Sequence, residues 1–162
     1  MKTKIILAML LFQINVFSIG FVNKNFNAVI TETTKNKVKE YKIKYTQDKI
    51  TLEVLKPDLN KGEIYTYFGN KKYIYYKLLD QTVEQTLTSV DSDIIFILKE
   101  IRSIKENKNV VINNKQFFVS DNNVQKIVGK GYEVEFKYNK DKMPEKITVK
   151  SDNGNTEFVW KY

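Results

Sequence analysis

Cysteine and histidine are both missing from the 162 residues, and Arg102 is the only arginine. Without imidazole or thiolate, the commonest general bases, nucleophiles and soft metal ligands are absent together. No disulfide can form, so burial of a core has to hold the fold alone. The nearest thing to a catalytic pair is Glu133 and Glu135, two apart on an alternating stretch, which reads as an ordinary wet face. The expectation is a chain that is not an enzyme, with no catalytic residue, no metal and no cofactor.

Positive charge is in excess. Lysine and arginine number 27 against 19 acidic residues, for a net charge of +8. Such a balance attracts nucleic acid or anionic headgroups. Nucleic-acid recognition favours the bidentate arginine fork, however, and here the basic residues are all but exclusively lysine. No nucleic-acid partner is expected. A lysine-rich solvated surface is the simpler reading, with docking to anionic headgroups or an acidic partner left open.

Long apolar runs are scarce too. The one at 5–12 follows Lys2 and Lys4 and is followed by Val16-Phe17-Ser18, the pattern of a secretory signal peptide. It is too short for the roughly 20 residues of a membrane-spanning helix; a retained anchor is the competing reading. The expected division is a signal peptide at 1–18 and one domain at 19–162. A domain of that size buries about 68–70 % of its unfolded surface.

The mature part reads mostly as strands. Residues 26–33 form a first candidate. In 37–45, Tyr41, Ile43 and Tyr45 alternate with Lys42 and Lys44, a two-residue period whose lysines suit a protected sheet edge. Ile50, Leu52 and Val54 share a face of the next strand, which Pro57 ends for want of an amide hydrogen. Gly69-Asn70 signals a tight hairpin between two tyrosine-rich segments. Short strands are expected at 110–112, 116–120 and 124–128. Longer ones follow at 132–138, around 146–150, and after the Asn153-Gly154 turn, where Phe158, Trp160 and Tyr162 share a face.

One helix stands out. Asp91-Ser92-Asp93 offers short oxygen-bearing side chains for capping. Ile94, Ile97, Leu98, Ile101 and Ile104 recur at helical spacing, with Lys99, Glu100 and Ser103 opposite. Asn107-Lys108-Asn109 is its expected end. Many strands with one apolar face each close into a barrel or curl around something. Whether the helix fills that hollow or only lids it stays open at this level.

The order of motifs resembles the outer-membrane lipoprotein carrier (LolA-like) family over about 42–162. The strand Leu52-Glu53-Val54-Leu55 closes with Lys56-Pro57. A hairpin of Ile64-Tyr65-Thr66-Tyr67-Phe68 and Lys72-Tyr73-Ile74-Tyr75-Tyr76 leads to Asp80-Gln81-Thr82-Val83-Glu84. Met143-Pro144 opens a late strand, and the helix from Ser92 sits where the family has a lid. The resemblance implies an α+β fold, an antiparallel half-open β-barrel (a curved sheet) with the helix packed over its concave face. It implies a periplasmic monomer that takes lipoprotein acyl chains from an inner-membrane ATP-driven exporter to an outer-membrane acceptor. Lys56 stands where the family has an arginine before the proline, which makes it the gate or lid contact.

Burying an acyl chain yields about 0.8 kcal/mol per CH₂, so such a carrier needs shape rather than a reactive group. The candidate ligand-binding residues are Leu52, Val54, Ile64, Phe68, Tyr75, Ile95, Leu98, Phe136, Val149 and Trp160. The alternative is an envelope module that binds an apolar ligand or senses lipoproteins without shuttling them.

Overall fold

The computed structural model describes residues 19–35, 37–88 and 92–162, so the expected signal segment and the capping residue Asp91 lie outside it. Among the described residues a short 3-10 turn at Gly20–Asn23 leads into β1 (Phe26–Thr34), β2 (Lys37–Tyr45), β3 (Lys49–Lys56), β4 (Ile64–Phe68), β5 (Lys71–Tyr76) and β6 (Gln81–Thr86). Helix α1 (Asp93–Arg102) follows. Then come β7 (Val110–Ile112), β8 (Lys115–Ser120), β9 (Asn123–Gly129), β10 (Tyr132–Tyr138), β11 (Pro144–Ser151) and β12 (Gly154–Lys161).

These strands make one antiparallel sheet in the order β6-β5-β4-β3-β2-β1-β12-β11-β10-β9-β8-β7. Each half is a meander of sequence neighbours, and β1 pairs with β12 to join the halves at the centre. The two edge strands are therefore consecutive in the chain, and α1 lies in the connection between them. Register shifts at Glu40/Tyr41, Phe118/Val119 and Lys137/Tyr138 mark bulges, which bend a strand and increase its twist. The result is a curved, open sheet: no described pairing joins β6 to β7.

The elements form where the residue types direct them. Gly69 and Gly154 take the positive φ values of +55° and +117° that their hairpin turns require. The inward residues of neighbouring strands fall into cross-strand rows, such as Ala28, Ile43 and Leu52, or Phe136, Ile147 and Phe158. Phe26 stacks on Tyr45 with 4.6 Å between ring centroids, and Phe21 and Trp160 meet Phe26 at steeper angles. Ile94, Ile95, Ile97, Leu98 and Ile101 of α1 belong to the same core cluster as these strand residues.

Four expectations need correction. The lysines of β2 do not guard an edge, since β2 lies between β1 and β3. The edges are β6 and β7, and β6 falls where the sequence reading assigned no strand. Ser92 has the extended backbone of a cap, but its side chain caps nothing; its carbonyl takes the Phe96 amide at 3.2 Å. The helix stops at Arg102 instead of running to Asn107. Ser103 turns the chain there, its hydroxyl donating to the Glu100 carbonyl at 2.6 Å, and Ile104 is buried without being helical.

Candidate ligand-binding site

Among the described residues α1 helps to line three cavities, of which the smallest, about 240 Å³, lies by Phe96, Lys99 and Glu100; the other two are of more use to a ligand. The larger, about 450 Å³, has Leu52, Val54 and Ile74 with the rings of Tyr41, Tyr65 and Tyr67 on its wall, and Lys56-Pro57 and Asn60, from the end of β3 and the connection to β4, on its rim. Ser92 and Asp93 close it from the start of α1. The second, about 380 Å³, lies between Phe96, Ile97 and the strand residues Val134 and Val149, with Tyr132, Lys115 and Glu100 at its side. Both volumes fall within the range usual for small-molecule sites, roughly 300–1,000 Å³.

The larger cavity has an apolar floor and a polar rim. Register explains the floor: Leu52 faces Tyr65, and Tyr65 faces Ile74, so all three point to one side of the sheet. On the rim, Glu32 accepts a hydrogen bond from the Tyr41 hydroxyl at 2.9 Å and pairs with Lys39 at 3.4 Å. Burial, and then the charge of Glu32, push the Tyr41 hydroxyl well above the usual phenol range. Burial and the same carboxylate raise the Asp93 carboxyl above the ordinary aspartate value, with Lys39 opposing them. The Lys72 ammonium lies 5.2 Å from the Tyr65 ring centroid, a cation–π contact. A hydrocarbon tail suits the floor, and an ester, amide or charged head suits the rim.

The ten candidate residues divide by position. Leu52 and Val54 line the larger cavity and Val149 the second. Ile95, Leu98, Phe136 and Trp160 are buried in the closed core and line neither cavity. Ile64, Phe68 and Tyr75 point to the other face of the sheet, because their register partners are Glu53, Lys49 and Ile64. Phe68 is 55 % exposed there, and the Tyr75 hydroxyl donates to Asp80 at 2.9 Å. Strand β4 is apolar on both faces, so its alternation did not say which set turns inward. Tyr65 and Tyr67 are the inward pair.

Lys56 sits on the cavity rim, and its ammonium pairs with Glu40 on β2 at 3.0 Å. Arg102, which sequence reasoning passed over, ties the end of the helix to the β2–β3 turn. Its Nε donates to the Tyr45 hydroxyl and its Nη2 to the Thr46 carbonyl, both at 2.7 Å, with the guanidinium 4.7 Å from the Tyr45 ring centroid. Glu133 and Glu135 belong to a lysine ladder with Lys126 and Lys150. Among the described residues no group of three acidic side chains is placed to hold a metal ion, and no helix is long and apolar enough to cross a membrane.

No protein-family model and no curated protein sequence matches the chain. Solved structures do. A LolA superfamily protein from Nitrosomonas europaea aligns with a TM-score of 0.59 at 9 % identity, over 89 % of this chain and 87 % of that one. A domain described as outer membrane lipoprotein-sorting, from Vibrio parahaemolyticus, aligns with a TM-score of 0.51 at 11 % identity, over 84 % and 82 % of the two chains. At such identities the likeness speaks for architecture alone. The twelve-stranded open sheet with its single described helix has the LolA-like fold.

Proposed function

We propose that this chain is an exported carrier that holds the acylated end of a lipoprotein in the cavity between β2–β5 and α1. The observation that carries the reading is the cavity itself, with Leu52, Val54 and Ile74 on its floor and Glu32, Lys39 and Asp93 at its rim. In this reading residues 1–18 direct export to the periplasm and are removed. Helix α1 covers the concave face of the sheet, and Lys56 at the rim gates entry. The cargo comes from an ATP-driven exporter of the inner membrane and passes to an outer-membrane acceptor, with the carrier acting as a monomer.

A second reading has its own support. The helix residues Ile94, Ile95, Leu98 and Ile101 are at most 1 % exposed, which supports a hollow filled in part by the protein's own side chains. This favours an envelope module that binds one acyl chain, or senses lipoproteins, without shuttling.

A fluorescent palmitoyl-cysteine peptide tests the shared part of both readings. Val54→Trp fills the floor of the cavity and is expected to weaken binding by tenfold or more, about 1.4 kcal/mol, while Phe68→Ala on the opposite face leaves it unchanged. Equal binding by both variants would remove the cavity from the function. Transfer of the bound peptide to acceptor vesicles then separates carrier from module, since a module holds its ligand without passing it on.

A further inference from the structure

The sheet treats its two edges differently. At one, β7 is three residues long, and the amide of Val119, beyond its reach on β8, is taken by Asn109 Oδ1 at 2.8 Å. At the other, β6 pairs with β5 over all six residues without a register shift, and all six are exposed. Its sequence, Gln81-Thr82-Val83-Glu84-Gln85-Thr86, holds no lysine, proline or bulge, the usual devices against strand addition. The one charge, Glu84, is engaged by Lys71 of β5 at 2.6 Å.

Alternate residues of such an edge direct their N–H and C=O groups away from the sheet. An extended polypeptide matches that ladder, whereas a lipid tail or a sugar does not. The inward row that includes Leu52, Tyr65 and Ile74 continues to Val83, which is 41 % exposed at the open end. The first three line the larger cavity, and β6 is only one strand spacing, about 4.8 Å, beyond Ile74.

We propose that the edge of β6, which no described strand covers, docks an extended peptide segment, continuous with the acylated end in the cavity, as a thirteenth strand with an apolar side chain beside Val83. The polypeptide of the cargo is then held by backbone hydrogen bonding, and its tail by the floor next to it. This rests on the acyl-binding reading above. It gives that site a selectivity for lipidated peptides over free lipids, and a tether of a few residues spans the gap.

Three probes test it on the intact protein: a palmitoylated octapeptide of alternating valine and polar residues, the same probe with alternate backbone amides methylated, and palmitoyl-glycine. The first is expected to bind about tenfold more tightly than the other two, about 1.4 kcal/mol. It alone should slow hydrogen exchange in residues 81–86. Val83→Lys should abolish that advantage while palmitoyl-glycine binding stays as it was. Equal affinities without protection of β6 would overturn the proposal, as would protection that grows with protein concentration when no probe is present, the mark of a second copy. Should palmitoyl-glycine fail to bind, the acyl reading is lost, and the octapeptide without its palmitoyl group decides the edge alone. Protection of 81–86 then upholds it and no protection overturns it.

Discussion

Arg102 shows how much one side chain can decide. It is the chain's only arginine, and its planar fork meets two acceptors at the β2–β3 turn, the Tyr45 hydroxyl and the Thr46 carbonyl. Tyr45 in turn donates to the Val22 carbonyl at 2.9 Å. The end of α1, the turn and the 3-10 segment are thereby linked through a ring that is 1 % exposed. Arg102→Ala leaves both acceptors short of a charged donor and is expected to cost about 1.5–3 kcal/mol in urea unfolding. Arg102→Lys should restore less than half of that, because a point charge cannot serve both acceptors in one plane. Full rescue by lysine would mean that the charge matters and the fork does not. Lys56, by contrast, is paired with Glu40 on a neighbouring strand and shares the lining of the larger cavity with Asp93 of α1.

At the scale of elements, the strands with one charged and one apolar face were legible. Tyr132–Tyr138 alternates Val134 and Phe136 with Glu133, Glu135 and Lys137, and it is a strand over the very residues the pattern marks. β4 defeated the same reasoning, since Ile-Tyr-Thr-Tyr-Phe gives no polar face to orient it. Its side was set by pairing with β3, where Leu52 and Ile50 already face inward. β6 was missed for the opposite reason: all six of its residues are exposed, so burial left no imprint on its sequence. The helix was plain from its isoleucine spacing, while its early end at Ser103 reflects a tertiary contact, the Ile19 amide on the Ile104 carbonyl at 3.0 Å. The same contrast sets a prediction. Leu98→Ala, in the closed core, is expected to destabilise by about 2–5 kcal/mol. Phe68→Ala, on the uncovered face, should stay within about 0.5 kcal/mol. Urea midpoints that rank them the other way would place Phe68 under a cover that the fold does not show.

For the whole molecule, the lack of cysteine and histidine shifts the titration behaviour onto tyrosine, of which there are ten. Tyr41, Tyr65 and Tyr138 have hydroxyls pushed well above the phenol range, in each case chiefly by burial. Tyr45 is raised as well, with burial outweighing the opposing pull of Arg102. In the unfolded chain these groups ionise near pH 10. A proton is thus bound more tightly in the folded state, so the stability they contribute is fully present below about pH 10. Above that pH the unfolded chain loses protons that the folded one keeps, and the contribution drains away as pH rises toward the folded values. The urea midpoint is therefore expected to fall steeply between about pH 10 and 11.5. Tyrosinate absorbance at those pH values should include a component that rises together with the loss of β-sheet circular dichroism. Neutralised lysines also change the charge balance there, which makes Tyr138→Phe the deciding variant. Its hydroxyl donates to the Val124 carbonyl at 2.5 Å, so the variant loses some stability at neutral pH, but its decline above pH 10 should be shallower than that of the parent. Parallel declines would mean that Tyr138 ionises freely in the fold, and that the aromatic interior is more open to water than the packing around it allows.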